Sequence, residues 1–356
     1  MTPECVLVTG GAGFAGSALS IALKGVFPES RIVAFDNLRR RGAELNLRRL
    51  REAGVEFIHG DVRAPEDLAS LPHKPDLIVE CSAEASAQAG YGGGPQYVID
   101  TNLIGAYHCL ELARRSNARF LFLSTSRVYP FDALNRLDWC ESETRFVLKS
   151  SQSIPGASSL GVNEDFPLNG PRSLYGMSKL AAELMLEEYA DAYGLRYIVN
   201  RFGLLAGPWQ MAKSDQGVMS LWVAHHFFRR PLSYIGFGGT GKQVRDILHV
   251  EDFCALLIDQ IKNFELYEGR VWNAGGGAAN SLSLLETTEL CREVTGITVP
   301  ITSVETNRPA DVRIYFTDAG RVTAVNNWAP LKSPRDTLVD IASWLRREEA
   351  NLSGII

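Results

Sequence analysis

The sequence predicts an α/β protein: a doubly wound, parallel-sheet, Rossmann-like domain with a smaller C-terminal domain. Three observations carry this. Short continuous apolar runs alternate with helical patterns over the first 125 residues, the pattern of parallel strands covered on both faces. A glycine cluster, Thr9-Gly10-Gly11-Ala12-Gly13-Phe14-Ala15-Gly16, separates the first run from the first helical pattern. An acid, Asp36, closes the second run, 20 residues beyond Gly16.

The elements follow in order. Cys5–Val8 is the first apolar run, and a helical pattern extends from Ser17 to Lys24. Arg31–Phe35, Val55–Ile58 and Leu77–Val79 are three further strand candidates. A long helical pattern covers Val98–Arg115 and leads into the strand Arg119–Leu123, which ends in Ser124-Thr125. Residues 131–172, rich in Ser, Asn, Pro and Gly, read as a long loop beside the site, of a length that is usually functional or disordered. A helix from Ser173 to about Tyr193, a strand at Tyr197–Val199 and a helix at Met219–Phe228 come next. From Ser281 the pattern is helix, strand and a final helix ending near Glu348. The expected domains are 1–205, rejoined at about 246–275, and a second made of 206–245 and 276–356.

Composition narrows the function. With 356 residues, 46% apolar and 22% charged, the chain is globular rather than disordered or fibrous. Its 36 basic and 41 acidic residues give a net charge of −5. No basic field is present, so nucleic acid is not an expected partner. No apolar run reaches the ~18–20 residues that span a bilayer, and the first residues lack a basic signal-peptide region. No membrane partner is expected, and the chain reads as cytoplasmic. The six cysteines are scattered without a C-x-x-C pair, so neither a disulfide framework nor a metal site is expected.

The glycine spacing, G-x-x-G-x-x-G, suits a tight turn that brings backbone close to a pyrophosphate at a helix N-terminus. A carboxylate at Asp36 accepts from adenosine ribose hydroxyls and repels a 2′-phosphate, which favours NAD over NADP. Arg39-Arg40-Arg41 keeps the second option open, since arginines there can hold that phosphate. Asp61 ends the third strand, either as a turn residue or within reach of the adenine amino group. Tyr175 and Lys179 stand at i and i+4, on one face of a helix. A free tyrosine, with a pKa of about 10, is a poor base at neutral pH. A neighbouring ammonium favours its phenolate, so the pair suits proton transfer with a sugar hydroxyl, and Thr125 could hold the same oxygen. His225-His226 read as structural.

These motifs resemble the extended short-chain dehydrogenase/reductase family over nearly the whole chain. The carriers are the glycine cluster, Asn102 within Asp100–Gly105, Thr125 within Ser124–Tyr129, the Tyr175/Lys179 pair, and Arg245–Asp252. The resemblance implies Thr125, Tyr175 and Lys179 as catalytic residues and NAD as cofactor. It implies cofactor contacts at Gly10, Gly13, Phe14, Ala15 and Gly16 in the turn, and at Asp36, Asn37, Asp61 and Val62 on the adenosine side. Ser82, Asn102, Tyr175, Lys179 and Phe202 complete that set. It implies a nucleotide-diphosphate sugar as substrate, held by Thr125, Gln210, Arg245 and Arg308. Members pair through two long helices, here 98–115 and 173–193, so a homodimer or homotetramer is expected.

Several stretches are similar to the branch that inverts C2 of a CDP-linked deoxysugar: Phe35–Leu38 leading to Arg41–Leu47, Glu143-Thr144-Arg145, Asp215-Gln216-Gly217, Gly241–Asp246, Asn280–Leu284 and Arg308–Arg313. They read as segments on the substrate side. The resemblance therefore implies an isomerase that oxidises the sugar to a ketone, lets it turn, and returns hydride to the other face. A CDP sugar is the first expectation and a UDP sugar the second. A 4-epimerase is the rival reading, followed by a net dehydrogenase and a non-catalytic NAD-binding protein. The related 4,6-dehydratases carry Asp-Glu directly after the catalytic threonine, where this chain has Ser126-Arg127. Glu80, Ser82 and Glu84 depart from the family's usual His-x-Ala-Ala/Gly; Glu80 reads as a strand-end polar residue and Glu84 as facing the sugar.

Overall fold

The computed structural model describes residues 2–213, 216–352 and 354–355; Asp215, one of the residues carrying the resemblance, lies outside them. The chain divides into two compact units. The first comprises Met1–Thr125, Leu174–Arg201 and Phe253–Trp272, and the second Ser126–Ser173, Phe202–Asp252 and Asn273–Ile356.

In the first unit, β1 (Cys5–Thr9), β2 (Arg31–Asp36), β3 (Glu56–His59), β4 (Leu77–Glu80) and β5 (Arg119–Thr125) belong to a seven-stranded sheet. Its order is Arg270–Ala274, Tyr197–Phe202, β5, β4, β1, β2, β3. Every pair from β5 to β3 runs parallel. The chain builds outward from β1 in one direction through β2 and β3, then returns to place β4 on the other side of β1. That reversal is where open α/β sheets bind ligands, outside the carboxyl ends of the strands. β1, β4 and β5 are buried at every position, including the polar residues Thr9, Glu80, Arg119, Ser124 and Thr125 at their ends. Leu7, Val33, Ile78, Phe120 and Phe122 pack with Cys109, Leu110, Ala182 and Leu186 from two helices to form the core.

Helix α1 spans Phe14–Val26, starting before the apolar pattern does. The Ser17 N–H already donates to the Gly13 carbonyl at 3.0 Å, so the glycine turn itself provides the first helical bond. The predicted helix 98–115 is a helix with a π turn: Gln96–Ile99, then Asp100–Ile104 in π geometry, then Gly105–Ser116. Asn117 stops it in the left-handed conformation, φ 51°. The helix Leu174–Tyr193 turns two charged side chains inward, Lys179 and Glu183. Glu183 pairs with Arg201 at 2.6 Å, both almost fully buried.

The second unit corrects two boundaries. Residues 126–173 belong to it rather than to the first unit, and so does the strand Val244–His249. That strand pairs with Leu204–Ala206, Ser281–Ser283 and Ile314–Tyr315. The expected long loop contains the helix Phe131–Asn135 and two small hairpins, Trp139–Glu141 with Phe146–Leu148 and Ala157–Ser158 with Gly161–Val162. The first hairpin is tied down through its turn. The Arg145 Nε donates to Glu286 at 2.7 Å and a terminal guanidinium nitrogen to the Ser281 carbonyl at 2.8 Å, while Lys242 pairs with Glu141 at 2.8 Å. Glu286 also closes the capping box of the helix Leu284–Thr295 with Ser283. Three of the stretches read as lying on the substrate side, 143–145, 241–246 and 280–284, thus bond to this clasp. His225 and His226 each use Nδ1 on a backbone carbonyl, Pro231 and Trp222 respectively. Among the described residues, no helix is long and apolar enough to cross a membrane, and no cluster of three or more His, Cys, Asp or Glu could hold a metal.

Removing one partner of a buried ion pair leaves the other charge uncompensated. Glu183→Ala is expected to lower unfolding free energy in urea by about 3–5 kcal/mol, and pairing Glu183→Leu with Arg201→Met to recover most of it.

Candidate active site

The glycine turn fits a cofactor's pyrophosphate because it has no room for side chains. Gly10 sits at φ +61°, and a Cβ there would lie 2.8 Å from the Cys81 carbonyl oxygen, at the end of β4. At Gly16 a Cβ would come within 2.2 Å of the Gly10 carbonyl oxygen. Gly13 caps α1 without a side chain, and Phe14, Ala15 and Gly16 form its first turn, so backbone N–H groups are the donors on offer.

Asp36 closes β2 beside this turn. Its carboxylate accepts from the Ala12 N–H at 3.1 Å and the Leu38 N–H at 2.7 Å. Burial raises its pKa from the ordinary aspartate value, against these bonds. A carboxylate has roughly four acceptor positions, so two bonds leave capacity for ribose hydroxyls. Asn37 donates to Asp61 at 2.9 Å, and Arg63 forms an ion pair with Asp61 at 2.6 Å. Burial works against the Asp61 anion, but these partners prevail and hold its carboxyl at about 2. Arg39 and Arg63 stack on Tyr97, at 4.0 and 4.9 Å from the ring centre. Val62 is buried beneath Gly105.

The sequence reading placed Glu80 at a strand end, where it lies, but missed its partner. This last residue of β4 is 0% exposed and pairs at 3.1 Å with the Lys179 ammonium, itself 2% exposed. The other Glu80 oxygen accepts the Ser82 hydroxyl, so Ser82 is engaged inside the site. Lys179 lies 4.5 Å over the Phe122 ring on β5. Glu80 is therefore a buried ion-pair partner, not merely a polar strand end. An ammonium has three donors, so this pairing is compatible with Lys179 also holding a ribose hydroxyl. Glu84 contributes its backbone: the Asn102 side chain accepts its N–H at 2.8 Å and donates to its carbonyl at 3.1 Å. Asn102 also donates to the Ser178 hydroxyl at 3.2 Å, which links the π turn to the residue before Lys179. π turns inside helices frequently mark functional sites.

Tyr175 is buried in the first turn of the helix Leu174–Tyr193, and Thr125 is buried at the end of β5. The Ser124 hydroxyl, next to Thr125, donates to Glu183, two turns beyond Tyr175. Thr125, Tyr175 and Lys179 thus stand on two elements bonded to each other. This set can exchange a proton with a hydroxyl while the ammonium holds a neighbouring group.

The remaining expected residues lie in the second unit. Arg245 donates to Asp311 at 3.1 Å and to the Val244 and Val312 carbonyls. Burial pulls its guanidinium down to about 10, opposed by Asp311, and it stays charged at neutral pH. Arg308 begins a turn in which its carbonyl accepts the Asp311 N–H at 3.3 Å and Ala310 has φ +53°. Gln210 spans the loop instead of projecting from it, donating to the Leu205 carbonyl at 2.9 Å and accepting from Ser220 at 2.8 Å. Phe202 is buried at the end of its strand.

Residues 6–275 match the NAD dependent epimerase/dehydratase family. A CDP-paratose 2-epimerase from Salmonella typhi is 32% identical, over 95% of this chain and 98% of that protein. A dTDP-glucose 4,6-dehydratase from Salmonella typhimurium is 25% identical, over 95% and 92%. Among solved structures, the dTDP-glucose 4,6-dehydratase of Bacillus anthracis, in complex with NAD, aligns with a TM-score of 0.77 at 24% identity, over 99% and 100% of the two chains. The UDP-glucuronic acid 4-epimerase of Bacillus cereus aligns at 0.78 and 20%, over 96% and 99%. The chain belongs to the NAD dependent epimerase/dehydratase family. It is an enzyme with NAD as its cofactor, and its relatives support action on nucleotide sugars.

Gly16→Ala is expected to weaken NAD binding by more than 100-fold in calorimetric titration, because the methyl would meet backbone oxygen. Gly25→Ala in the same helix, with nothing within 4 Å of its Cβ position, is expected to leave affinity unchanged.

Proposed function

We propose that this enzyme inverts C2 of a CDP-linked deoxysugar, the conversion of a CDP-paratose to a CDP-tyvelose. The observation that carries the reading is the full-length similarity to a CDP-paratose 2-epimerase. Arg127 supports it: two residues after Thr125 its guanidinium donates to the Ala310 carbonyl at 3.2 Å, where a dehydratase would need a carboxyl group for water elimination.

A sugar C–H beside a hydroxyl is not acidic enough for direct deprotonation. When bound, NAD supplies the reversible hydride acceptor that such a carbon requires. Tyr175 takes the proton of the C2 hydroxyl while Thr125 donates a hydrogen bond to the same oxygen. Lys179, paired with Glu80, would hold a ribose hydroxyl of the cofactor with a remaining ammonium donor. The 2-keto sugar then presents its other face, and Tyr175 returns the proton as the C–H bond re-forms. Arg245 and Arg308 hold the diphosphate, for which planar guanidinium groups are suited. Asp36 and Asn37 receive the adenosine ribose, with Asp61 and Val62 beside the adenine.

The same reading includes self-association. Ile104 and Tyr107 on one long helix, and Leu184 and Tyr193 on the other, are 41%, 41%, 56% and 59% exposed. Leu184→Arg is expected to shift the enzyme from dimer to monomer in size-exclusion chromatography with light scattering.

Proton NMR of CDP- and UDP-sugars incubated with the enzyme in D2O tests the reaction. Inversion at C2 with the C2 proton retained is expected, since hydride, not a solvent proton, returns to carbon. Inversion at C4 would make the enzyme a 4-epimerase, and loss of the sugar C2 proton to solvent would refute the hydride route. Tyr175→Phe is expected to lower kcat by about 10²–10⁴-fold.

A further inference from the structure

We propose that Glu80 is a positioning residue whose carboxylate neutralises the Lys179 ammonium in the cofactor-free enzyme, so that Tyr175 faces no net cation until the oxidised cofactor arrives. This deepens the reading of Tyr175 as the base and rests on it.

The argument begins with burial. Glu80 and Lys179 lie 3.1 Å apart, with side chains 0% and 2% exposed. Solvent cannot screen either charge there, so each acts on its neighbours with a strength set by protein rather than water. An unpaired ammonium at this place would favour the phenolate of the tyrosine one helical turn away, with or without cofactor. Paired with a carboxylate, it presents a dipole whose effect on that tyrosine is smaller. The pair is also built, not incidental. Glu80 stands at the end of β4, in register with Thr9 of β1 and Phe122 of β5. Its second oxygen is occupied by Ser82, and the lysine rests on the Phe122 ring.

The other ionisable groups around the pair do not upset this balance. Just past β4 and on the helix Gly105–Ser116, Cys81 and Cys109 face it, and burial pushes both thiols well above their ordinary value, so they are neutral. Cys254 contributes a third thiol from the helix Val250–Lys262, facing Cys81. On the helix of Lys179 itself, Glu183 is matched by Arg201 at 2.6 Å. The Glu80–Lys179 pair therefore decides the local net charge. A carboxylate in this place gives a base that is switched by the same ligand that accepts hydride from the sugar.

The test is a charge ladder read without cofactor or sugar. Phenolate absorbance of Tyr175 is obtained against pH by subtracting the corresponding Tyr175→Phe protein in each background. Glu80→Gln leaves a net positive charge, Lys179→Met a net negative one, and the double substitution none. Phenolate onset is expected about one pH unit or more lower in Glu80→Gln than in the wild type. It is expected higher in Lys179→Met, and near the wild-type value in the double variant. Should Glu80→Gln fail to fold, as judged by circular dichroism, the remaining three proteins still give the sign of the carboxylate's effect. Identical onsets throughout, or a higher onset in Glu80→Gln, would overturn the proposal. Because no sugar is present, these outcomes are independent of which carbon is inverted.

Discussion

Two opposite charges, Lys179 and Glu183, stand one turn apart on the buried face of a single helix, and each is met by a buried partner on the sheet. Neither charge could be placed there alone, since an unpaired buried ion costs several kcal/mol. The helix can therefore settle in only one rotation and one height along the strands. Glu80 at the end of β4 receives the lysine, and Arg201 on the strand Tyr197–Phe202 receives the glutamate. Tyr175, one turn before Lys179 on the same face, is carried to its place by that docking, and the Ser124–Glu183 bond brings the end of β5 to the same helix.

The glycine turn provides the complementary constraint. Gly10 and Gly16 leave no space for a Cβ, so the end of β1, the end of β4 and the start of α1 converge as bare backbone. Asp36 joins them through two backbone N–H groups. Its anion, disfavoured by burial, is sustained by these bonds in the place where ribose hydroxyls would add more. The glycine turn and Asp36 thus stand at the ends of β1 and β2, and Glu80 and Thr125 at the ends of β4 and β5, neighbouring strands of one sheet.

Much of this was legible in the sequence, for a physical reason. The G-x-x-G-x-x-G turn, the acid closing β2 and the i, i+4 Tyr175/Lys179 pair are local patterns, and local geometry follows from spacing. The partner of Lys179 was not legible, because Glu80 lies 99 residues earlier and meets it only once the strand order is known. The boundaries of the second unit escaped for the same reason. Residues 131–172 look like loop because their order comes from distant partners such as Glu286 and Lys242, not from their own periodicity. Gln210 illustrates a further case: beside the ligand contact its position suggested, its amide braces its own loop through Leu205 and Ser220, a role that spacing does not reveal.

The clasp made by Arg145, Ser281, Ser283 and Glu286 has a bearing on how such chains diversify. One carboxylate there closes a helix cap and receives an arginine from 141 residues away. Replacing Glu286 would lose the cap and strand the Arg145 guanidinium together, whereas replacing Arg145 would leave the cap in place, so the two ends are coupled unequally. A chimera whose C-terminal third lacked Glu286 would leave Arg145 of the hairpin without its carboxylate.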